Sequence, residues 1–206
     1  MLLYNEQLSE EKQRIREKIW RLMRERNLAI FPLPCYGRIP NFLGSDKAAT
    51  KVSQLEEWKK ARVIVANPDF AQQKVREIAL KEGKTLIMAS PRLRYGYIKI
   101  DPQKIKGKET LASTIKGAFR YGEKVAELSR PDLIITGCVA VTPNGYRLGK
   151  GRAYGDREIR MVKSEFGEIP VITTVNDVQI IDSVPIEEHD EKVDIIVTPT
   201  RVIRVK

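Results

Sequence analysis

The chain has little sulfur and almost no imidazole. Its 206 residues include two cysteines, Cys35 and Cys138, and one histidine, His189. Two distant cysteines make neither a disulfide framework nor a metal-ligand cluster, so each is expected as an ordinary core residue. One histidine, with no Ser/His/Asp or Cys/His arrangement, leaves the usual nucleophilic triads out. His189 is expected to be structural, near a turn beside Asp190. No apolar run approaches the roughly eighteen residues of a bilayer span. The N-terminus is charged from Glu6 onward and lacks the apolar segment of a secretory signal, so a cytoplasmic protein without membrane contact is expected. Aromatic residues are only 7% and do not alternate with basic ones, which argues against a stacking surface for RNA. Neither a P-loop nor a dinucleotide fingerprint occurs.

What is present is charge and a regular apolar pattern. The formal net charge is +10, and 31% of residues are charged. A basic surface serves nucleic acid or a small polyanion such as a nucleoside triphosphate equally well. The Lys, Arg and Glu content also matches the ion-pair networks of heat-adapted proteins. Helical spacing is expected over 9–26 (Ser9 as cap, Ile15, Ile19, Leu22 and Met23 on one face), then from Ser45 through Trp58, over 70–81 and over 110–128. Pro32, Pro34, Gly37 and Pro40 mark an irregular connection. Val/Ile-rich strands are expected at 62–67, 85–89, 133–141, 171–175, 193–198 and 201–205, the last two as an edge pair. Such runs separated by helices predict one domain, residues 1–206, of Rossmann-like α/β class: three layers, with a mostly parallel sheet and helices on both faces.

The most informative stretch is 145–158, Gly-Tyr-Arg-Leu-Gly-Lys-Gly-Arg-Ala-Tyr-Gly-Asp-Arg-Glu. Gly149 and Gly151 let the main chain approach a ligand, while Arg147, Lys150, Arg152 and Arg157 supply charge that matches phosphate oxygens. The stretch lies between the expected strand 133–141 and a helix carrying Ile159, Val162 and Phe166 and ending at Gly167, where free amides and the helix dipole attract anions. On spacing alone a solvated turn fits equally well.

The wider pattern decides more. Arg147-Leu148-Gly149-x-Gly151-x-x-Tyr154-x-Asp156-Arg157 resembles the ATP loop of the 5-formyltetrahydrofolate cyclo-ligase family, the methenyltetrahydrofolate synthetases. Gly137 to Val141 resembles the strand leading into that loop. Gly83-Lys84 and Pro91-Arg92 look like the family's helix end and the Pro-Arg after its next strand. His189-Asp190-x-x-Val193 through Thr198 looks like its C-terminal signature. The loop departs from the family in having Gly151-Arg152-Ala153 for three glycines and Tyr154-Gly155 for a tyrosine pair. Asp69 and Gln72 stand where the family has the glutamate and threonine of its formyl-pterin pocket. Arg38 to Phe42 and Gly149-Lys150-Gly151 look closest to the methenyltetrahydrofolate-synthetase-domain branch.

The resemblance implies ATP- and Mg²⁺-dependent closure of 5-formyltetrahydrofolate, or a related formyl-pterin, to 5,10-methenyltetrahydrofolate, with a new C–N bond. It implies that Lys12 and Arg16, four apart on the first helix, reach ATP with Arg147 and Lys150, and that the backbone of Gly149 to Gly151 cradles phosphate. Asp156 is the expected Mg²⁺ ligand, with Arg147 the second catalytic candidate; on sequence Asp156 caps a helix equally well. Tyr154 is expected against nucleotide or pterin, and Asp69 and Arg92 against the second substrate. The alternative is a non-catalytic ATP- or RNA-binding module on the same fold. The assembly is left open between monomer and small homo-oligomer.

Overall fold

The computed structural model describes residues 2–90 and 96–206. Among the described residues, ten strands and seven α-helices follow one another. Helices α1 (Leu2–Glu25), α2 (Ser45–Ser53) and α3 (Glu56–Lys60) precede β1 (Val63–Ala66), α4 (Gln73–Lys81) and β2 (Thr85–Ala89). Then come β3 (Tyr97–Ile100), α5 (Glu109–Ala112), α6 (Ile115–Tyr121), β4 (Glu123–Val125) and β5 (Leu133–Thr136). A small hairpin, β6 (Ala140–Val141) and β7 (Arg147–Leu148), leads into α7 (Tyr154–Phe166), β8 (Val171–Thr174), β9 (Ile195–Val197) and β10 (Val202–Arg204).

Eight strands form one sheet in the order β10-β9-β8-β5-β1-β2-β3-β4. β9, β8, β5, β1 and β2 are mutually parallel, β10 pairs antiparallel with β9 at one edge, and at the other β3 pairs antiparallel with both β2 and β4. Alternate residues serve opposite faces, as a pleated strand requires. Ile64, Leu86, Ile135 and Ile172 pack with Trp20 and Met23 of α1, Val52 of α2 and Val75 and Leu80 of α4. Val65, Ile87, Ile134 and Ile196 pack on the other face with Ile159 and Val162 of α7. Each such side chain contributes about 1.5–3 kcal/mol by leaving water. Both faces being covered explains the near-continuous apolar runs and makes this the three-layer, mostly parallel α/β fold expected.

Several boundaries differ from the sequence reading. Ser9 lies inside α1 and caps nothing, because the helix begins at Leu2. The expected helix from Ser45 to Trp58 is two helices, α2 and α3. The expected helix 110–128 is α5, α6 and the edge strand β4. Thr114 caps α6 by accepting from Gly117 N, and a side chain on Gly122 would meet Ile98 Cγ2 at 2.5 Å, so the chain turns there to pair with β3. β3 itself was not foreseen. The expected strand 133–141 stops at Thr136, because Gly137 N donates to Asn67 Oδ1 and the Cys138 and Val139 carbonyls accept from Gln179.

Candidate functional site

The site begins where the sheet reverses its winding. From β1 the chain crosses to β2 on one side, whereas β5, β8 and β9 build out on the other. The carboxyl ends of β1 and β5 therefore flank a crevice, the usual ligand position in open parallel sheets. Asn67 follows β1 and Gly137 follows β5. Asn67 Oδ1 accepts from Thr136 Oγ1 at 2.8 Å and Gly137 N at 3.1 Å. Its Nδ2 donates to Glu158 Oε2 at 2.6 Å. Arg76 fixes this turn from beneath by donating to the carbonyls of Asn67 (2.5 Å), Asp69 (2.9 Å) and Ser113 (2.8 Å). Burial pulls the pKa of Arg76 down to about 10, so it stays cationic at neutral pH. A Cβ on Gly137 would meet Gln72 Oε1 at 2.7 Å and Ile39 Cγ2 at 2.8 Å, so glycine keeps the strand end close to the turn.

The β6/β7 hairpin carries the glycine-rich segment over this crevice. The loop lies between β7 and α7, with the hairpin interposed after β5. Gly151 (φ 97°) and Ala153 (φ 48°) take left-handed conformations before α7 starts at Tyr154. Arg16 Nε donates to Gly149 O at 2.7 Å, which ties α1 to the loop. Arg147 and Asp156, 4% and 7% exposed, are paired at 2.9 Å between Nη2 and Oδ1. Asp156 Oδ1 also accepts from Glu191 N at 3.1 Å. Arg147 Nε is buried with no partner among the described residues. Gly155 leaves room for the guanidinium, since a Cβ there would lie 3.2 Å from Arg147 Nη1.

Two cavities result. The larger, about 400 Å³, is lined by Ile39, Asn67, Asp69, Phe70, Tyr154 and Glu158 among others. The smaller, about 250 Å³, is lined by Lys12, Arg16, Gly151 and the segment Glu187, His189 and Asp190. Arg147, Gly149, Ala153 and Asp156 line both and so form the shared wall.

The sequence-predicted residues divide between these spaces. Lys12, Arg16 and Gly151 surround the smaller cavity, with Arg147, Gly149 and Asp156 in the wall. Lys12 Nζ is held by Glu187 Oε2 at 2.5 Å and Asp190 Oδ2 at 3.0 Å. Asp69, Lys150 and Tyr154 lie at the larger cavity, where Lys150 Nζ stands 3.4 Å from Asp69 Oδ1. Arg92 lies outside the described residues. His189 is half exposed, with Nε2 3.7 Å from Glu187 Oε2. The ligand-type atoms of Glu187, His189 and Asp190 lie within 4.8 Å of one another, but Lys12 Nζ already pairs with both carboxylates.

Sequence reasoning gave no role to Asn67 or Glu158. Glu158 is 2% exposed, and burial pushes its carboxyl up to about 7 against the opposing pull of the Asn67 hydrogen bond and the Arg147 charge. No local signal singled it out: Glu158 stands one residue before the apolar stripe of Ile159, Val162 and Phe166, at the edge of that face, where a solvated glutamate fits equally well. Cys138, by contrast, is a core residue whose thiol burial raises to about 11, which leaves it inert.

The donor set suits a polyphosphate. Lys12, Arg16 and Arg147 converge with glycine backbone on one small space, where they are paired with or close to Glu187, Asp190 and Asp156, and one buried guanidinium N–H of Arg147 lacks an acceptor among the described residues. Asp156 has one oxygen committed to Arg147 and Glu191 N, and its second oxygen is compatible with Mg²⁺, which takes one or two carboxylates beside phosphate and water.

The chain is 43% identical over 204 residues to a Bos taurus methenyltetrahydrofolate synthase domain-containing protein, covering 93% of this chain and 53% of that protein. It spans about half the length of the curated relatives of that name that it matches. The NMR structure of Aquifex aeolicus 5,10-methenyltetrahydrofolate synthetase superposes with TM-score 0.61 at 23% identity, covering 95% of this chain and 93% of that one. A 5,10-methenyltetrahydrofolate synthetase from Mycoplasma pneumoniae superposes with TM-score 0.56 at 14% identity, covering 91% and 98%. These two likenesses concern the fold. The family model described as the 5-formyltetrahydrofolate cyclo-ligase family matches residues 8–199, and with it the chain belongs to that family.

Proposed function

We propose that this chain closes 5-formyltetrahydrofolate, or a related formyl-pterin, to the 5,10-methenyl form with consumption of ATP. The observation that carries the reading is the pair of adjoining cavities, the smaller lined by Lys12 and Arg16 opposite Glu187 and Asp190 and the larger of mixed apolar and charged lining, divided by the Arg147–Asp156 pair. A phosphoryl transfer between two bound molecules needs two spaces that meet at the point of transfer.

In this reading Lys12, Arg16, Arg147 and Lys150 neutralise phosphate charge, and the backbone of Gly149 to Gly151 approaches the phosphates closely. Lys12 exchanges its carboxylate partners Glu187 and Asp190 for phosphate oxygens. Asp156 holds Mg²⁺, directly or through water, while keeping Arg147 in place. Tyr154 and Asp69 border the folate. ATP supplies a phosphoryl group that turns the formyl oxygen into a leaving group. The residues of the chain bind, orient and exclude water, and no protein nucleophile is required.

The test is incubation of the pure protein with ATP, Mg²⁺ and 5-formyltetrahydrofolate. The methenyl chromophore and phosphate should appear only when all three are present. Asp156→Asn should lower kcat at least tenfold with little change in ATP affinity, because its effect is realised chiefly in the transition state. Wild-type inactivity with folate and with related formyl-pterins would overturn the proposal.

A further inference from the structure

We infer that Glu158 is a specificity-determining residue of the larger cavity, accepting a hydrogen bond from an N–H on the edge of the substrate's bicyclic ring. This rests on the proposed folate reading and assigns a residue to it. Three carboxylates are buried among the described residues: Glu77, Asp156 and Glu158. Glu77 bonds Lys74, Lys81 and Thr110, and Asp156 bonds Arg147 and Glu191 N. Glu158 bonds only the uncharged amide of Asn67, and its Oε1 is buried without a partner among the described residues. Asn67 cannot serve that oxygen as well, because Thr136 Oγ1 and Gly137 N fix its amide with Nδ2 on Oε2.

A buried acceptor left unpaired destabilises the protein unless something else satisfies it. Glu158 lines the 400 Å³ cavity, whose apolar side chains include Ile39, Phe70, Ala89 and Ile115. Such walls suit a flat ring, and an amino-oxo pyrimidine ring carries adjacent N–H donors on one edge. Asp69, also at this cavity, is more exposed and already faces Lys150, so it discriminates less. A site that buries an acceptor for a substrate N–H rejects analogues lacking that donor, since the acceptor then stays unpaired.

The experiment is a cycle of variant against analogue, read as equilibrium binding. 5-Formyltetrahydrofolate, and the same compound methylated on the ring N–H between its amino and oxo carbons, are titrated into wild type and Glu158→Gln. In the variant the side-chain oxygen accepts from Asn67 and an amide N–H takes the place of Oε1. Methylation should weaken wild-type binding at least tenfold, and Glu158→Gln should weaken binding of the unmethylated compound by a similar factor. In the variant the two compounds should differ less than twofold, with ATP affinity unchanged. An equal penalty for methylation in both proteins overturns the inference while leaving the proposed function standing. A wild type that binds no folate overturns the proposed function and the inference with it. Should the variant melt early, the wild-type comparison decides: equal affinity for the two compounds overturns the inference, and tenfold discrimination supports it.

Discussion

At the scale of single residues, Glu158 should leave a signature in stability as well as in binding. Its folded pKa lies at about 7, above the ordinary 4.5. A carboxyl raised on folding stabilises the protein while neutral, fully below the unfolded pKa, and that contribution is lost as pH rises through the folded pKa. At about 1.4 kcal/mol per pK unit, the shift corresponds to a loss on the order of 3 kcal/mol between pH 4.5 and somewhat above 7. Urea unfolding at pH 5 and pH 8 should show wild type losing about that much relative to Glu158→Gln. Parallel behaviour of the two proteins would mean that the carboxyl titrates normally. The residue also marks where reading the sequence stopped. Lys12, Arg16, Arg147 and Asp156 could be singled out because charge beside glycine, and the family's motif, made them conspicuous, and the fold brings them around one small cavity. Asn67 and Glu158 carry no such mark. Their relation depends on β1 lying beside β5 with α7 above them, a fact of strand order that no local pattern contains.

The element that organises the site is α7 with its approach. Local signals specified its body well: the stripe of Ile159, Val162 and Phe166 and the stop at Gly167 both reappear in the structure. Its beginning was less legible, since the turn at Ala153 has a left-handed backbone (φ 48°, ψ 19°) that a β-carbon disfavours. Such a conformation costs about 1 kcal/mol or slightly more for a residue other than glycine. Ala153→Gly should therefore raise stability by up to about 1 kcal/mol, a few degrees in melting temperature for a chain this long. A loss of stability beyond about 0.5 kcal/mol in thermal or urea unfolding would count against that backbone. The segments missed outright, β3 and the edge strand β4, are short strands whose pairing supplies the order that their sequences do not. The expected long helix over 110–128 failed for the same reason: the turn at Gly122 and the contact with Ile98 override helical propensity.

For the whole molecule, the net charge of +10 acts on every anionic partner, and on its own it distinguishes none of them. Pairs such as Arg14–Glu10 and Lys104–Glu123 are exposed on both sides, and each is worth little at ordinary temperature. Discrimination has to come from shape, and the shape is two cavities meeting at one buried ion pair. If nucleotide occupies the smaller space and folate the larger, both bind at once, whereas a single shared site would make them compete. Calorimetric titration of 5-formyltetrahydrofolate into protein saturated with Mg²⁺ and a non-hydrolysable ATP analogue separates these cases. Folate affinity should be unchanged or tighter, because the nucleotide draws on Lys12, Arg16, Arg147 and, at the border of the larger cavity, Lys150, without taking Asn67, Asp69 or Glu158 from it. Repeating the titration from 50 to 200 mM salt should weaken the nucleotide several-fold through screening and affect folate less. A tenfold or greater loss of folate affinity in the presence of the analogue would contradict the two-cavity arrangement. Displacement of both ligands by RNA, with a steep salt dependence, would instead favour a non-catalytic binding module.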